Sequence, residues 1–157
     1  MEREVRRLKG ESVAEEVDPE IHSQIPAFFP EEYVSDIGER LILYKRLAST
    51  PDQENLDALR SEIVDRFGEL PPTGENLIRI IELKILARKC GVTSIRLGGE
   101  DPTVEFSDQA PINVDRLVAL VKTNRRLTLR PNQSLSIRLK NDTDAVEETK
   151  KILRALA

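Results

Sequence analysis

PEEYVSDIGERLILYKRLAST (residues 30–50), LRSEIVDRFGELPP (59–72) and ENLIRIIELKILARKCG (75–91) hold most of the chain's long apolar side chains at helical spacing. Start and stop signals bound each segment, so Pro30 to Cys90 reads as three consecutive helices. In the middle one, Leu56, Leu59, Ile63 and Phe67 recur at the three-and-four spacing of a buried face. Glu62 and Asp65 point elsewhere, on a face shared with Ala58 and Glu69. Gly68 follows the last periodic residue, where a left-handed position costs a glycine little, and Pro71 and Pro72 forbid continuation until a new helix starts. The first helix takes Ser35 as its N-cap, with Asp36 and Glu39 in the first turn. Its expected buried line is Ile37, Leu41, Tyr44 and Ala48, widened by Leu47, which leaves Arg40, Lys45 and Arg46 for solvent or a partner. The third, from about Pro72 to Cys90, has only Glu75, Arg79, Glu82 and Lys89 as a thin polar stripe. A helix apolar over most of its circumference belongs at the centre of a core.

Working outward, the proline-bounded IPAFFP (25–30) is expected to pack in extended form under the helices. Before it, Gly10 to Gln24 is acidic and poor in apolar residues, and reads as a mobile, solvated linker with room for one edge strand. His22 lies in this linker with no second metal-binding side chain at useful spacing. After Val92 the period changes from helical to alternating. Ile95 with Leu97 and Val104 with Phe106 read as a hairpin across GGEDP, in which Gly98 and Gly99 form a turn rather than a phosphate loop. Asn113 is placed to cap a helix carrying Val114, Leu117, Val118 and Val121. Leu127 and Leu129, then Leu135, Ile137 and Leu139, form a second hairpin across RPNQ. A last helix from about Thr143 buries Ala145, Thr149, Ile152 and Leu156. This order predicts an α+β fold: an N-terminal helical subregion packed on a small, mainly antiparallel sheet with flanking helices.

The run PEEYVSDIGERLILYKRLAS, followed by EIVDRFGELPP and ELKILARKCGV, closely resembles the C-terminal domain of the bacterial transcription-repair coupling factors, the Mfd family. The resemblance covers roughly Val13 to Ala157 and is most specific from Pro30 to Val92. It implies residues 1–24 as a linker from a preceding motor domain and residues 25–157 as one regulatory domain. That domain would be autoinhibitory, docking on the UvrA-recruiting domain of the same protein and masking it until the protein engages stalled RNA polymerase. Glu62 and Asp65, with Arg66, then stand at the docking contacts. By the same resemblance ATP and Mg belong to the parent DNA translocase and no cofactor to this part. UvrA, RNA polymerase and double-stranded DNA are reached through the parent.

Composition bounds these readings. A chain of 157 residues fits one domain with a real core, and 39% hydrophobic with 33% charged residues suits a soluble protein. No apolar run approaches the ~20 residues of a membrane span, and the N-terminus lacks a secretory signal, so a cytoplasmic location is expected. The single cysteine, Cys90, closes an apolar helix and reads as a buried structural thiol. Residues 1–70 carry 9 basic and 17 acidic side chains, while residues 71–157 carry 15 and 11. Either the halves face each other, or the acidic half offers a docking surface to a basic partner.

Reactive constellations are missing: the chain holds no GxxxxGK[ST], GxSxG or HExxH and no cysteine or histidine cluster. Glu62 and Asp65 have Arg66 nearby and need no catalytic explanation. The basic set Arg116, Lys122, Arg125, Arg126, Arg130, Arg138 and Lys140 gathers around the second hairpin, with Arg125, Arg126 and Arg130 as the phosphate-contacting candidates. A nucleic-acid-binding accessory module is therefore the alternative to a docking module. In either case the chain alone is expected not to hydrolyse ATP, and phosphate release by the pure chain checks this.

Overall fold

Asp36, Asp52 and the Pro71–Pro72 pair open the three helices that the apolar spacing demands. Helix α1 spans Ile37–Ala48, α2 Gln53–Phe67 and α3 Pro72–Lys89. The structure, a computed structural model, describes residues 18–97, 101–107, 114–131, 133–139 and 144–156. The expectations for the linker up to residue 17, the Gly98–Gly99 turn, the Asn113 cap, Lys140 and the start at Thr143 lie outside those residues.

The first helix begins one residue later than its sequence suggests. Asp36, not Ser35, is the N-cap: it is extended at φ −81°, ψ 120°, and its carboxylate accepts the Glu39 N–H at 3.3 Å. Residues 30–34 are already committed to a turn, with the Tyr33 and Val34 amides donating to the Pro30 carbonyl. The buried face of α1 also differs. Leu43 and Leu47 are fully buried, whereas Ile37, Leu41 and Ile42 are 65%, 60% and 60% exposed and Ala48 faces solvent. The helix is rolled by roughly one residue position, about 100°. Tyr44 and Leu47 stay on the buried side as expected, the Tyr44 hydroxyl accepting the Phe29 N–H at 2.9 Å while its ring stacks on Phe29, and Leu43 rather than Leu41 completes the face by packing into the core.

In α2 the expected face holds: Leu56, Leu59 and Ile63 are buried and Phe67 partly so. Asp52 caps it through the Asn55 N–H at 2.8 Å, and Gly68 ends it at φ +93°, a conformation that L side chains resist. The Tyr33 hydroxyl donates to the Gly68 carbonyl at 2.6 Å, tying the turn before α1 to the end of α2. On α3, Ile78, Ile81 and Ile85 join Phe29, Val34, Leu43, Leu47, Leu56, Leu59, Ile63 and Leu70 in one apolar cluster. The segment before α1 is pinned to α3 where the Phe28 N–H donates to the Thr73 carbonyl and Asn76 Nδ2 to the Pro26 carbonyl.

Strand β1 is Glu20–His22, β2 Val92–Arg96, β3 Thr103–Phe106, β4 Leu127–Leu129 and β5 Ser134–Ile137. They form one sheet in the order β1-β2-β3-β5-β4, in which only the β1–β2 pair is parallel. Ile21, Ile95, Val104, Leu135 and Leu129 are register partners and so share one face, with Phe106, Ile137 and Leu127 two residues along. An irregularity between Val92 and Ser94 brings Val92 to that face as well, although three positions separate it from Ile95. Helix α4, Val114–Thr123, turns Leu117 inward and leaves Val114 exposed. Helix α5, Ala145–Leu156, buries Val146, Thr149, Ile152, Leu153 and Leu156, and Asp144 caps it by accepting the Val146 and Glu147 amides.

By its internal contacts the chain divides into a helical unit, Ser23–Ile85, and a sheet unit, Met1–His22 with Leu86–Ala157. The boundary falls within α3. His22 lies in strand β1, which fills the place left open for one edge strand.

The roll of α1 gives a direct test. Leu47→Ala should cost about 2–5 kcal/mol of stability, as for a buried leucine, whereas Leu41→Ala should change it by less than about 0.5 kcal/mol. Denaturant unfolding of both variants reads the difference.

Candidate functional site

The outer face of the helical unit is a ladder of charges between α1 and α2. Arg46 of α1 grips Glu62 of α2 as a fork, Nη1 to Oε2 at 2.5 Å and Nη2 to Oε1 at 2.9 Å. Two turns earlier on α1, Glu39 accepts Arg66 Nη2 at 2.6 Å, and Arg66 Nη1 stands 4.0 Å from Glu62. The Arg66 guanidinium also lies 4.8 Å from the Phe67 ring centroid. Antiparallel neighbours with opposite charge bias produce such a ladder, and Ile42 projects beside it between Glu39 and Arg46. The Arg46 hydrogen bond holds the Glu62 carboxyl below the usual range.

Glu62 and Asp65, read together as outward acids, are thus unlike. Glu62 is engaged by Arg46, while Asp65 is exposed and makes no ion pair or hydrogen bond among the described residues. Two of the cations expected to stay free are also in use, since Arg46 pairs with Glu62 and Arg40 Nη1 donates to the Val34 carbonyl at 2.6 Å. These partners are remote in sequence and depend on the roll of α1, so spacing along one helix does not reveal them.

A second site lies on the sheet unit. Register pairs Thr128 with Ser136 on the face opposite the buried leucines, and the Arg138 N–H donates to the Arg126 carbonyl at 2.7 Å. Alternation then sets Arg126, Thr128 and Arg130 in one row beside Ser136 and Arg138 in the next. With Arg125 and Asp101 these residues line an open cleft of about 170 Å³. Arg126 reaches Glu148 of α5 at 3.4 Å, whereas the Arg125, Arg130 and Arg138 guanidinium groups have no partner among the described residues. The three phosphate-contacting candidates do converge here. Arg138 is the member that the candidate trio omitted, and reading positions 126, 128, 130, 136 and 138 at period two finds it.

Chemistry elsewhere is sparse. Among the described residues no group of three His, Cys, Asp or Glu side chains is placed to hold a metal, and no helix is long and apolar enough to cross a membrane. Cys90 is buried, donates to the Leu153 carbonyl at 3.5 Å, and burial pushes its thiol up to about 11, leaving it neutral and unreactive at ordinary pH.

The class is a mixed α+β domain that offers a charge-laddered helical face and an arginine-lined sheet face. The chain belongs to the TRCF domain family, whose family model matches residues 23–117. It is 37% identical over 103 residues to the transcription-repair-coupling factor of Haemophilus influenzae, covering 66% of this chain and 9% of that protein. It is 29% identical over 161 residues to the corresponding protein of Myxococcus xanthus, covering 100% of this chain and 13% of that protein. The chain therefore spans about a tenth of the length of these relatives. The solved structure of the C-terminal domain of a transcription-repair coupling factor shares the fold, with a TM-score of 0.76, 21% identity, and 90% of this chain and 92% of that one covered.

The ladder predicts a pH dependence. A carboxyl whose folded pKa is depressed contributes stability above its unfolded value, near 4.5, and loses it as pH falls through the folded value. Arg46→Ala should bring the Glu62 pKa back up and shift the onset of acid unfolding to higher pH. Carboxyl titration by NMR and acid melts of the two proteins read this, and an unmoved Glu62 titration would contradict the fork.

Proposed function

We propose that this chain is the C-terminal autoinhibitory domain of a transcription-repair coupling DNA translocase, docking on the UvrA-recruiting domain of the same protein and masking it until stalled RNA polymerase is engaged. Residues 1–24 would then join it to the motor, which carries ATP and Mg. Family membership and the resemblance of EIVDRFG support this reading. The observation that carries it is the state of the ladder: Asp65 stands uncompensated and exposed beside Glu62, while Ile42 offers apolar surface at the rim. A basic partner surface would meet a free carboxylate there at no expense to the core. Arg46 and Arg66 would hold Glu62 and Glu39 in fixed positions for that approach.

The test is UvrA binding by the full-length protein carrying Glu62→Ala and Asp65→Ala. Lost charge-assisted contacts should weaken closure by about ten- to a hundredfold and raise UvrA binding accordingly. Asp65→Ala alone should give most of the effect, because Glu62 already spends its oxygens on Arg46. The melting curve of the chain should remain cooperative. Unchanged UvrA affinity in the double variant, with an unchanged melt, would remove the docking role.

A further inference from the structure

The arginine cleft on the β4–β5 hairpin carries an inference independent of the docking reading, which concerns the helical unit alone. We propose that this cleft binds the phosphodiester backbone of a nucleic-acid duplex, with Arg125, Arg130 and Arg138 contacting phosphates and Thr128 and Ser136 contributing hydroxyls between them. The first argument is an excess of like charge. Arg126 and Arg138 are brought together across adjacent strands by the Arg138 N–H bond to the Arg126 carbonyl, and like charges in such positions destabilise a hairpin. Glu148 offsets Arg126, but three further guanidinium groups border the same cleft with Asp101 as the one carboxylate in its lining. An anion seated there would relieve the repulsion.

The second argument concerns which anion. Guanidinium groups are donors only, and apart from Asp101 and two hydroxyls the lining side chains present no acceptor. A phosphodiester backbone presents acceptors only, whereas an extended peptide also brings N–H groups that need acceptors. Length bears on the same point, because Arg126 and Arg130 flank the edge strand Leu127–Leu129 four residues apart, a reach of up to about 13 Å at strand rise. One free phosphate is satisfied by one or two guanidinium forks, and a row of this length suits successive phosphates. The lining has no aromatic side chain on which unpaired bases would stack, which favours a duplex contacted without regard to sequence.

The experiment is a salt titration of a short random-sequence DNA duplex binding to the 157-residue chain. Each phosphate contact contributes about 0.9 to the slope of log K against log salt, so R125A/R130A/R138A should reduce the slope by roughly 2 to 3 and weaken binding at low salt at least about tenfold. All three residues are exposed, and a melting curve confirms that the variant folds. Asp101→Asn moves in the opposite direction: it removes the cleft's negative charge while its amide oxygen can still accept the Leu139 N–H, and it should tighten duplex binding. The proposal is overturned by an unaltered chain that fails to bind duplex at low salt, or by a triple variant with unchanged slope and affinity. Asp101→Asn binding no tighter than the unaltered chain counts against it equally. Polyglutamate of matched charge binding as tightly would assign the cleft to acidic protein instead. Complete displacement by inorganic phosphate at matched ionic strength would assign it to the free anion.

Discussion

The backbone N–H of Phe29 belongs to neither helix nor strand, and the Tyr44 hydroxyl accepts it while the two rings stack with centroids 5.5 Å apart and planes 3° from parallel. Leaving a buried donor unpaired costs about 1–3 kcal/mol, so this contact outranks the burial of any one extra methyl group on α1. Tyr44 must face the Phe29 segment, and Leu43 and Leu47 follow it into the core. With Leu43 and Leu47 filling the core, Ile37, Leu41 and Ile42 are turned outward, and Glu39 and Arg46 come to lie along α2. The exposed apolar side chains and the ion-pair ladder are two consequences of one helix orientation, in which Leu43 and Leu47 fill the core and Tyr44 is tied to Phe29.

That dependence explains what was legible in the sequence. The α2 face of Leu56, Leu59 and Ile63 and the apolar girth of α3 were readable because one periodicity and strong breakers agree there. In α1, apolar residues occupy positions 37, 41, 42, 43, 44, 47 and 48, too many for spacing to choose a stripe. Packing of Leu43 and Leu47 in one cluster with residues remote in sequence, Ile63 and Ile85 among them, made the choice. The two hairpins were legible from alternation, and the stretch before Ile25 has room for one edge strand. The partner of β1, Val92–Arg96, and its parallel sense were not, since three residues carry too little pattern to name a neighbour. On the functional side, the residues of the arginine cleft could be read from the strand pleat, whereas the pairing of Glu62 with Arg46 required the packing of two helices.

Neither surface is accounted for by folding alone. Ion pairs as exposed as those of the ladder contribute little to stability, and less still at high salt. Their geometry is better than that return requires, with a bidentate fork and a second arginine spanning both acids. On the β4–β5 hairpin the arrangement works against stability, since cations crowd one face of a short edge strand. Edge strands do carry charge to deter unwanted pairing, but one or two side chains suffice for that purpose. Convergence of the rest on hydroxyls across the pleat is a different kind of arrangement.

The place of β1 in the sheet has a bearing on how the chain folds. Helices α1 to α3 form from contacts among consecutive residues 23–85, which is the kind of structure that assembles quickly. Ile21, by contrast, cannot meet Ile95 until all three helices have been made or bypassed, and the entropy of closing that long loop must be met before three register pairs return anything. The first strand among the described residues is therefore suited to be among the last pieces to lock. During synthesis from the N-terminus, the helical unit has its full sequence available while β1 still waits for its partner. A short edge strand that arrives late is also one that can leave early, making the β1–β2 seam the natural starting point for local unfolding of the sheet.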